Sequence, residues 1–266
     1  MSRKKIGLAL SGGGARGFAH VGVLKVLTEH NIPIDFIAGT SAGSFVGGAL
    51  ATGLTIDQIV EIAGKISWSN MTGFSYSPRG VLSNAAMGRF IREHFPTLRF
   101  EELKIPFAAV ACDLESGEEV ILKDSGDLEL AIRSSCAVPG VFLPVSDGNG
   151  RMLVDGGVVA PIPTQVVREM GADIVIAVDL LASGSNYRKA PRTILGMLFQ
   201  SAMTMLRTAS KHQHYHADII VVPQIGHLRP DEIGKRGEFI KLGEEAARER
   251  MDEIKKLIDP AGRIRG

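Results

Sequence analysis

Hydrophobic positions along this 266-residue chain fall into short unalternating runs separated by longer stretches of helical period. Ile6-Gly7-Leu8-Ala9-Leu10, Ile34-Asp35-Phe36-Ile37-Ala38, residues 106–113 and residues 173–179 are largely apolar without alternation, the pattern of buried parallel strands. The last of these reads as a central strand, and residues 218–222 as a final one. Helices fill the intervals. Val21, Leu24 and Leu27 share one face of a helix over about residues 18–30, and Thr55-Ile56-Asp57-Gln58 is a capping box opening a helix to about residue 66. Ser83 can cap a helix ending near His94, before Pro96, and Asp127 one ending near Ala137. Residues 161–170 and 193–209 also read as helices, the latter with three methionines. Ile240, Ala247, Met251, Ile254 and Ile258 mark one face of a long C-terminal helix over residues 239–258.

Turn residues refine this layout. Residues 119–123 fold back on 106–113 across a Glu-Ser-Gly turn, which makes part of the sheet antiparallel. Residues 141–145 run extended after Pro139-Gly140. A turn at Asp147-Gly148-Asn149-Gly150 leads into a strand, Arg151-Met152-Leu153-Val154. Residues 68–80 mix turn formers with Trp68, Phe74 and Tyr76 and read as a surface loop, or as a lid over an apolar pocket. Residues 182–192 are a polar connection. Strands alternating with helices predict an α/β domain with a mainly parallel sheet, and the length suits one domain over residues 1–266.

Composition narrows the function classes. Thirty Lys plus Arg against 29 Asp plus Glu leave a net charge of +1, which gives no electrostatic case for nucleic acid. Cys112 and Cys136 have no metal or redox spacing and read as buried, reduced thiols. The basic N-terminus runs too soon into glycines to be a signal peptide, and no apolar run reaches the length of a membrane span. A cytoplasmic protein is expected, with peripheral membrane contact left open.

Candidate chemistry sits at the strand ends. Ser11-Gly12-Gly13-Gly14-Ala15-Arg16-Gly17 joins a strand to a helix, so its backbone N–H groups can converge on an anion. Gly12, Gly14 and Gly17 also satisfy the dinucleotide fingerprint, but the acidic residue that should end the second strand is replaced by Gly39-Thr40-Ser41-Ala42-Gly43, and no Walker lysine follows. That second motif is G-x-S-x-G between strand and helix, the setting of a strained, exposed nucleophile. Asp155-Gly156-Gly157 places a carboxylate at a later strand end, or makes an ordinary turn. Acyl transfer needs a serine, a base and aimed donors for the oxyanion. His212, His214, His216 and His227 follow Asp155 and are the candidates for a Ser-His-Asp esterase. His212 and His216, four apart, could chelate a metal or form a solvated helical face.

These motifs, with Ala131-Ile132-Arg133-Ser134-Ser135 and residues 138–145, resemble the patatin-like phospholipases, the serine lipid acyl hydrolases, of bacterial type. The resemblance spans about residues 5–223, leaving a helical extension over about 230–266. It implies a three-layer α/β/α fold with a mainly parallel central sheet and an antiparallel portion. It also implies a Ser-Asp dyad, Ser41 as nucleophile and Asp155 as base, with Gly12, Gly13 and Gly14 holding the oxyanion. Arg16, Gly17, Gly39, Gly43, Gly156 and Gly157 support the motifs, Arg16 through either anion binding or loop structure. Many relatives begin the glycine loop with Asp where this chain has Ser11. The implied activity is cleavage of phospholipid or lysophospholipid esters, with no metal and no cofactor. A non-catalytic lipid-binding module on the same scaffold is the alternative from another class.

Overall fold

The computed structural model describes residues 3–77, 80–186 and 193–258. Its first two strand–helix units are β1 (Ile6–Leu10) with α1 (Phe18–Glu29), and β2 (Phe36–Thr40) with α2 (Ala42–Ala51). Then come α3 (Ile56–Lys65), α4 (Trp68–Met71), the strands β3 (Gly73–Ser77) and β4 (Gly80–Ser83), and α5 (Ala85–His94). β5 (Phe107–Asp113), β6 (Glu119–Lys123), α6 (Leu128–Ser135), β7 (Val145–Ser146) and β8 (Met152–Asp155) follow. The chain closes with α7 (Thr164–Glu169), β9 (Ile174–Val178), α8 (Ile194–Gln213), β10 (Ile219–Val221) and α9 (Arg236–Ile258).

The main sheet has the order β10-β9-β1-β2-β5-β8-β7, with β6 also paired to β5. The first five strands of that order are mutually parallel; β6, β7 and β8 join antiparallel. Side-chain alternation divides the sheet into two unequal faces. Ile6, Leu8, Leu10, Ile37 and Phe107 point into the larger core, shared with α1, α2, α3, α5 and α9. The opposite face carries Ala9, Ala38, Ala108 and Ala177 beneath α7. Small residues there let the helix approach closely: a Cβ on Gly7 would lie 2.0 Å from Val167 Cγ1. The result is three layers, helices on both faces of a mainly parallel sheet, as the alternating pattern predicts.

One arrangement within this sheet positions the site. β5 pairs on one edge with β6 over Ala108–Cys112, so β2 and β8 share its other edge end to end. Thr40, the last residue of β2, lies opposite Val110, and Asp155, the last of β8, lies opposite the next residue, Ala111. Two strands running toward each other therefore stop at neighbouring positions. The chain leaving Thr40 has to turn off the sheet.

Several boundaries differ from the periodicity. Residues 68–80 begin with α4 and enter the β3–β4 hairpin rather than forming a loop; residues 78 and 79 lie outside the described residues. Of the extended stretch 141–145 only Val145 joins the sheet, forming β7 with Ser146. The helix expected over 161–170 shortens to α7, because Pro163 disfavours the helical conformation at Ile162 and the helix starts only after it, with Pro163 as N-cap. Asn84 rather than Ser83 is the N-cap of α5, although Ser83 Oγ accepts from the Ala85 N–H. β9 is interior but second from an edge, since β10 is the last strand on that side. Residues 187–192 of the polar connection lie outside the described residues. The Thr55–Gln58 capping box forms as expected, with both reciprocal hydrogen bonds. No helix among the described residues is long and apolar enough to cross a membrane.

Candidate active site

Ser41 sits where β2 must leave the sheet, and its backbone shows the cost. At φ 53° and ψ −124° it occupies a left-handed conformation that residues other than glycine rarely adopt. Its neighbours make the turn sterically feasible. A Cβ on Gly39 would lie 2.4 Å from Gly43 O, and one on Gly43 would lie 2.2 Å from Leu10 O. Both glycines are therefore required by close backbone approach. The hydroxyl of Ser135 holds the elbow, accepting from the Ser41 N–H (2.9 Å) and donating to Val110 O (2.6 Å). Ser44 Oγ donates back to Ser41 O at 2.7 Å.

Asp155 reaches this point from the opposite direction along β5. It is buried, and its backbone N–H donates to Ala137 O. Oδ1 accepts from the Gly157 N–H at 2.7 Å, whereas Oδ2 is buried without a hydrogen-bond partner of normal geometry among the described residues. Burial drives the Asp155 pKa up to about 6, opposed by the Ser41 hydroxyl and the Gly157 N–H. The serine thus lies close enough to stabilise the carboxylate while its oxygen stands free of a settled hydrogen bond. Gly156 presses on the same strand: a Cβ there would lie 2.2 Å from Val110 O, the oxygen that Ser135 engages.

The glycine loop completes the arrangement. Gly12 lies against the serine, where an added Cβ would come 3.3 Å from Ser41 Cβ, but its N–H donates to Pro161 O. The N–H groups of Gly13 and Gly14 donate to no acceptor recorded among the described residues. Gly14 has φ +59°, and a Cβ there would meet Pro230 O at 2.7 Å. Gly17 allows α1 to start against α2, with its absent Cβ 2.6 Å from Ala42 Cβ. Arg16 is buried and spends its guanidinium on the carbonyls of Leu180, Gly184 and Leu228, which makes it a clamp for three loops.

The sequence patterns gave Ser11 a place in this loop but no part in holding it. Ser11 Oγ donates to Gly12 O and accepts from the Leu180 N–H, so the Gly12–Gly13 peptide is pinned with its N–H facing away from Ser11. His20, fully buried in α1, donates from Nε2 to Ser11 O at 2.8 Å. Burial lowers its pKa to about 4. No motif marks that histidine, and the Ala131–Ser135 stretch that contains Ser135 assigned it no role.

An apolar cavity of about 160 Å³ opens beside Ser41. Ala42, Phe45, Val46 and Ala49, one helical face of α2, carry it away from the serine. Ile59, Ile62 and Ala63 of α3 face them, and Trp68, Met71 and Phe142 contribute further wall. Trp68 is half exposed, with its Nε1–H donating to Asp231 O. Cys136 also lines the cavity; both cysteines are free and buried, and burial pushes both thiols up.

Of the late histidines, His214 Nε2 pairs with buried Asp179 at 2.8 Å and His227 with Glu238, while His212 and His216 are exposed at the end of α8; none of the four lines the cavity beside Ser41. Among the described residues no three His, Cys, Asp or Glu side chains are grouped to hold a metal ion.

The family model described as patatin-like phospholipase matches residues 8–168, which contain the elbow, the glycine loop and Asp155. The chain belongs to the patatin-like phospholipase family. Among its patatin-like relatives, an NTE family protein of Mycobacterium tuberculosis is 38% identical over 185 residues, covering 68% of this chain and 51% of that one. Lysophospholipase NTE1 of Eremothecium gossypii is 34% identical over 187 residues, covering 68% of this chain and 12% of that protein. Human patatin-like phospholipase domain-containing protein 6 is 34% identical over 184 residues, 66% of this chain and 13% of its own length. The chain thus spans about half the length of the mycobacterial relative and a far smaller part of the others. VipD from Legionella pneumophila shares the fold, with a TM-score of 0.64 at 12% identity over 95% of this chain and 67% of VipD.

Proposed function

We propose that this protein is a serine hydrolase cleaving carboxylic esters of lipids, phospholipids or lysophospholipids, through an acyl-enzyme on Ser41. The observation that carries the reading is the left-handed elbow of Ser41 beside the unpaired Oδ2 of buried Asp155. Its kinship with a fungal lysophospholipase and the apolar cavity beside the serine support a lipid ester as substrate.

In this mechanism Asp155 Oδ2 accepts the Ser41 proton as Oγ attacks the ester carbonyl. The carbonyl oxygen takes up negative charge and is met by the N–H groups of Gly13 and Gly14 and the N-terminus of α2. Gly12 supplies clearance rather than a donor, because its N–H is already engaged. The tetrahedral adduct collapses, the ester C–O bond breaks, and Asp155 returns its proton to the departing alcohol. Water then attacks the acyl-serine, Asp155 accepts its proton, and Ser41 leaves with that proton as the fatty acid departs. The acyl chain occupies the cavity along α2. No step in this sequence needs a metal or a cofactor.

Labelling with a fluorophosphonate probe, alongside release of fatty acid from lysophosphatidylcholine, tests the proposal. The wild type is expected to label and hydrolyse, and Ser41→Ala to do neither while remaining folded. A folded wild type that neither labels nor hydrolyses would favour a lipid-binding module on this scaffold.

A further inference from the structure

The cavity beside Ser41 has a closed end, and its depth limits what it can hold. Among the described residues none of the side chains lining it is charged, so it suits hydrocarbon and leaves a phosphate or glycerol head group outside. Exposure grades along its walls. Ala49, the last residue of α2 in the wall, and Ile59, the first of α3, are 2% and 4% exposed. Ile66, just past the end of α3, is half-buried and Trp68 beyond it is half exposed, so the mouth lies there. The short connection over residues 52–55 turns α3 back along α2, which sets Ile59 toward Ala49 and the open end toward Ser41.

Length and volume both make this a shallow site. Ala49 stands eight residues beyond Ser41, about 12 Å along the helix axis. An extended carbon chain advances about 1.2 Å per bond, since three backbone bonds span at most about 3.6 Å, so about ten bonds reach Ala49. The volume is tighter. A dry apolar cavity of about 150 Å³ holds one benzene ring, about six carbons, and this one measures about 160 Å³.

The walls have little room to recede. Behind α2, a Cβ on Gly47 would lie 2.9 Å from Ile37 Cγ2 and one on Gly48 2.8 Å from Ile132 Cδ1, so the helix already rests on the sheet and on α6. Phe45 is braced by the rings of Phe90 and Phe95, with centroids 6.3 and 5.5 Å away. Arg236 of α9 ties down the end of α3 by donating to Ala63 O and Gly64 O.

We infer that Ala49 and Ile59 form the stop of the acyl site and select esters of one medium-length chain, about six to ten carbons. The inference rests on the lipid-ester reading above. Up to that length each added methylene is buried and raises kcat/KM by up to about fourfold. Beyond it, further carbons stay at the mouth and add little.

Hydrolysis of p-nitrophenyl esters from butyrate to palmitate, below their critical micelle concentrations, tests the inference. The wild-type kcat/KM is expected to peak or level at about six to ten carbons. Ala49→Leu should move that point down by about two to three carbons and Ile59→Ala should move it up by as much, because one fills the closed end and the other deepens it. A rise sustained through palmitate, or an unshifted profile in both folded variants, would overturn the stop. Binding separates it from hydrolysis. Trp68 is the only tryptophan of the chain and lines the mouth, so its fluorescence in Ser41→Ala reports occupancy by saturated fatty acids from butyrate to palmitate. Affinity should level at the same length. If it does while the wild type hydrolyses no ester of any length, the hydrolase reading fails and the acyl stop stands. If affinity climbs through palmitate, or no fatty acid binds, the stop fails whatever the wild type hydrolyses.

Discussion

Two oxygens of one carboxylate divide the work at Asp155. Oδ1 is fixed by the Gly157 N–H, and the buried Oδ2 has no settled partner, which leaves it available to a serine proton. With its pKa raised to about 6 by burial, Asp155 is ionised only above that pH. Hydrolysis of a soluble ester, expressed as kcat/KM, is therefore expected to rise with pH through about 6 and then level. A profile that instead rises near pH 7 and disappears in a histidine variant would contradict this assignment. Ser135 tests the geometry from the serine side. Ser135→Ala leaves the Ser41 N–H and Val110 O without their bridging hydroxyl. We expect a stability loss of about 1–3 kcal/mol and a fall in kcat of roughly 10- to 100-fold with KM little changed, because a slightly misplaced nucleophile forfeits orientation. Steady-state kinetics and urea denaturation measure the two effects. The elbow was legible from glycine spacing; Ser135 stood in a recognisable stretch but its role was not legible, because its partners are 94 and 25 residues away.

Among elements, the meeting of β2 and β8 on one edge of β5 explains why the serine and the aspartate converge. Their periodicities identified two strands, but only pairing places Thr40 and Asp155 at successive positions, Val110 and Ala111. A second element-level device joins α9 to α1. Added Cβ atoms at Gly22 and Gly243 would each lie 2.0 Å from a backbone oxygen of the other helix, Ile240 O and Ala19 O. The two backbones touch through reciprocal glycines, so the C-terminal helix packs on the large core that also supports the site. Gly243→Val should force the helices apart and destabilise the protein by about 1–3 kcal/mol, read as a lower urea midpoint. An unchanged midpoint would mean that α9 contributes little to the fold. The apolar face of α9 was visible as periodicity, whereas its partner was not.

Over the whole molecule, two buried groups act against each other. Asp155 holds protons more tightly folded than unfolded, so stability falls as pH rises from about 3.8 to about 6, by on the order of 3 kcal/mol. His20 is the reverse: its pKa drops from 6.5 to about 4 on burial, so the unfolded chain binds more protons across that window and stability rises with pH by a similar amount, about 3 kcal/mol. In the wild type the two slopes offset. Asp155→Asn removes one of them, so its stability relative to wild type should grow from pH 4 to pH 6 and then hold, while hydrolysis is lost. Urea denaturation across this range checks it, and parallel curves for the two proteins would refute it. What the sequence determined by itself was local: unalternating runs that must be buried strands, caps that start helices, and glycines where the backbone turns sharply or approaches closely. Those signals depend on a few consecutive residues and survive without knowledge of the fold. Tertiary structure decided the rest. It set which strands share an edge, which loop N–H groups stay free, and that His20 and Ser11 hold the glycine loop. It also set Ala49 and Ile59 at the closed end of the cavity, because burial and hydrogen-bond satisfaction depend on neighbours distant in the chain.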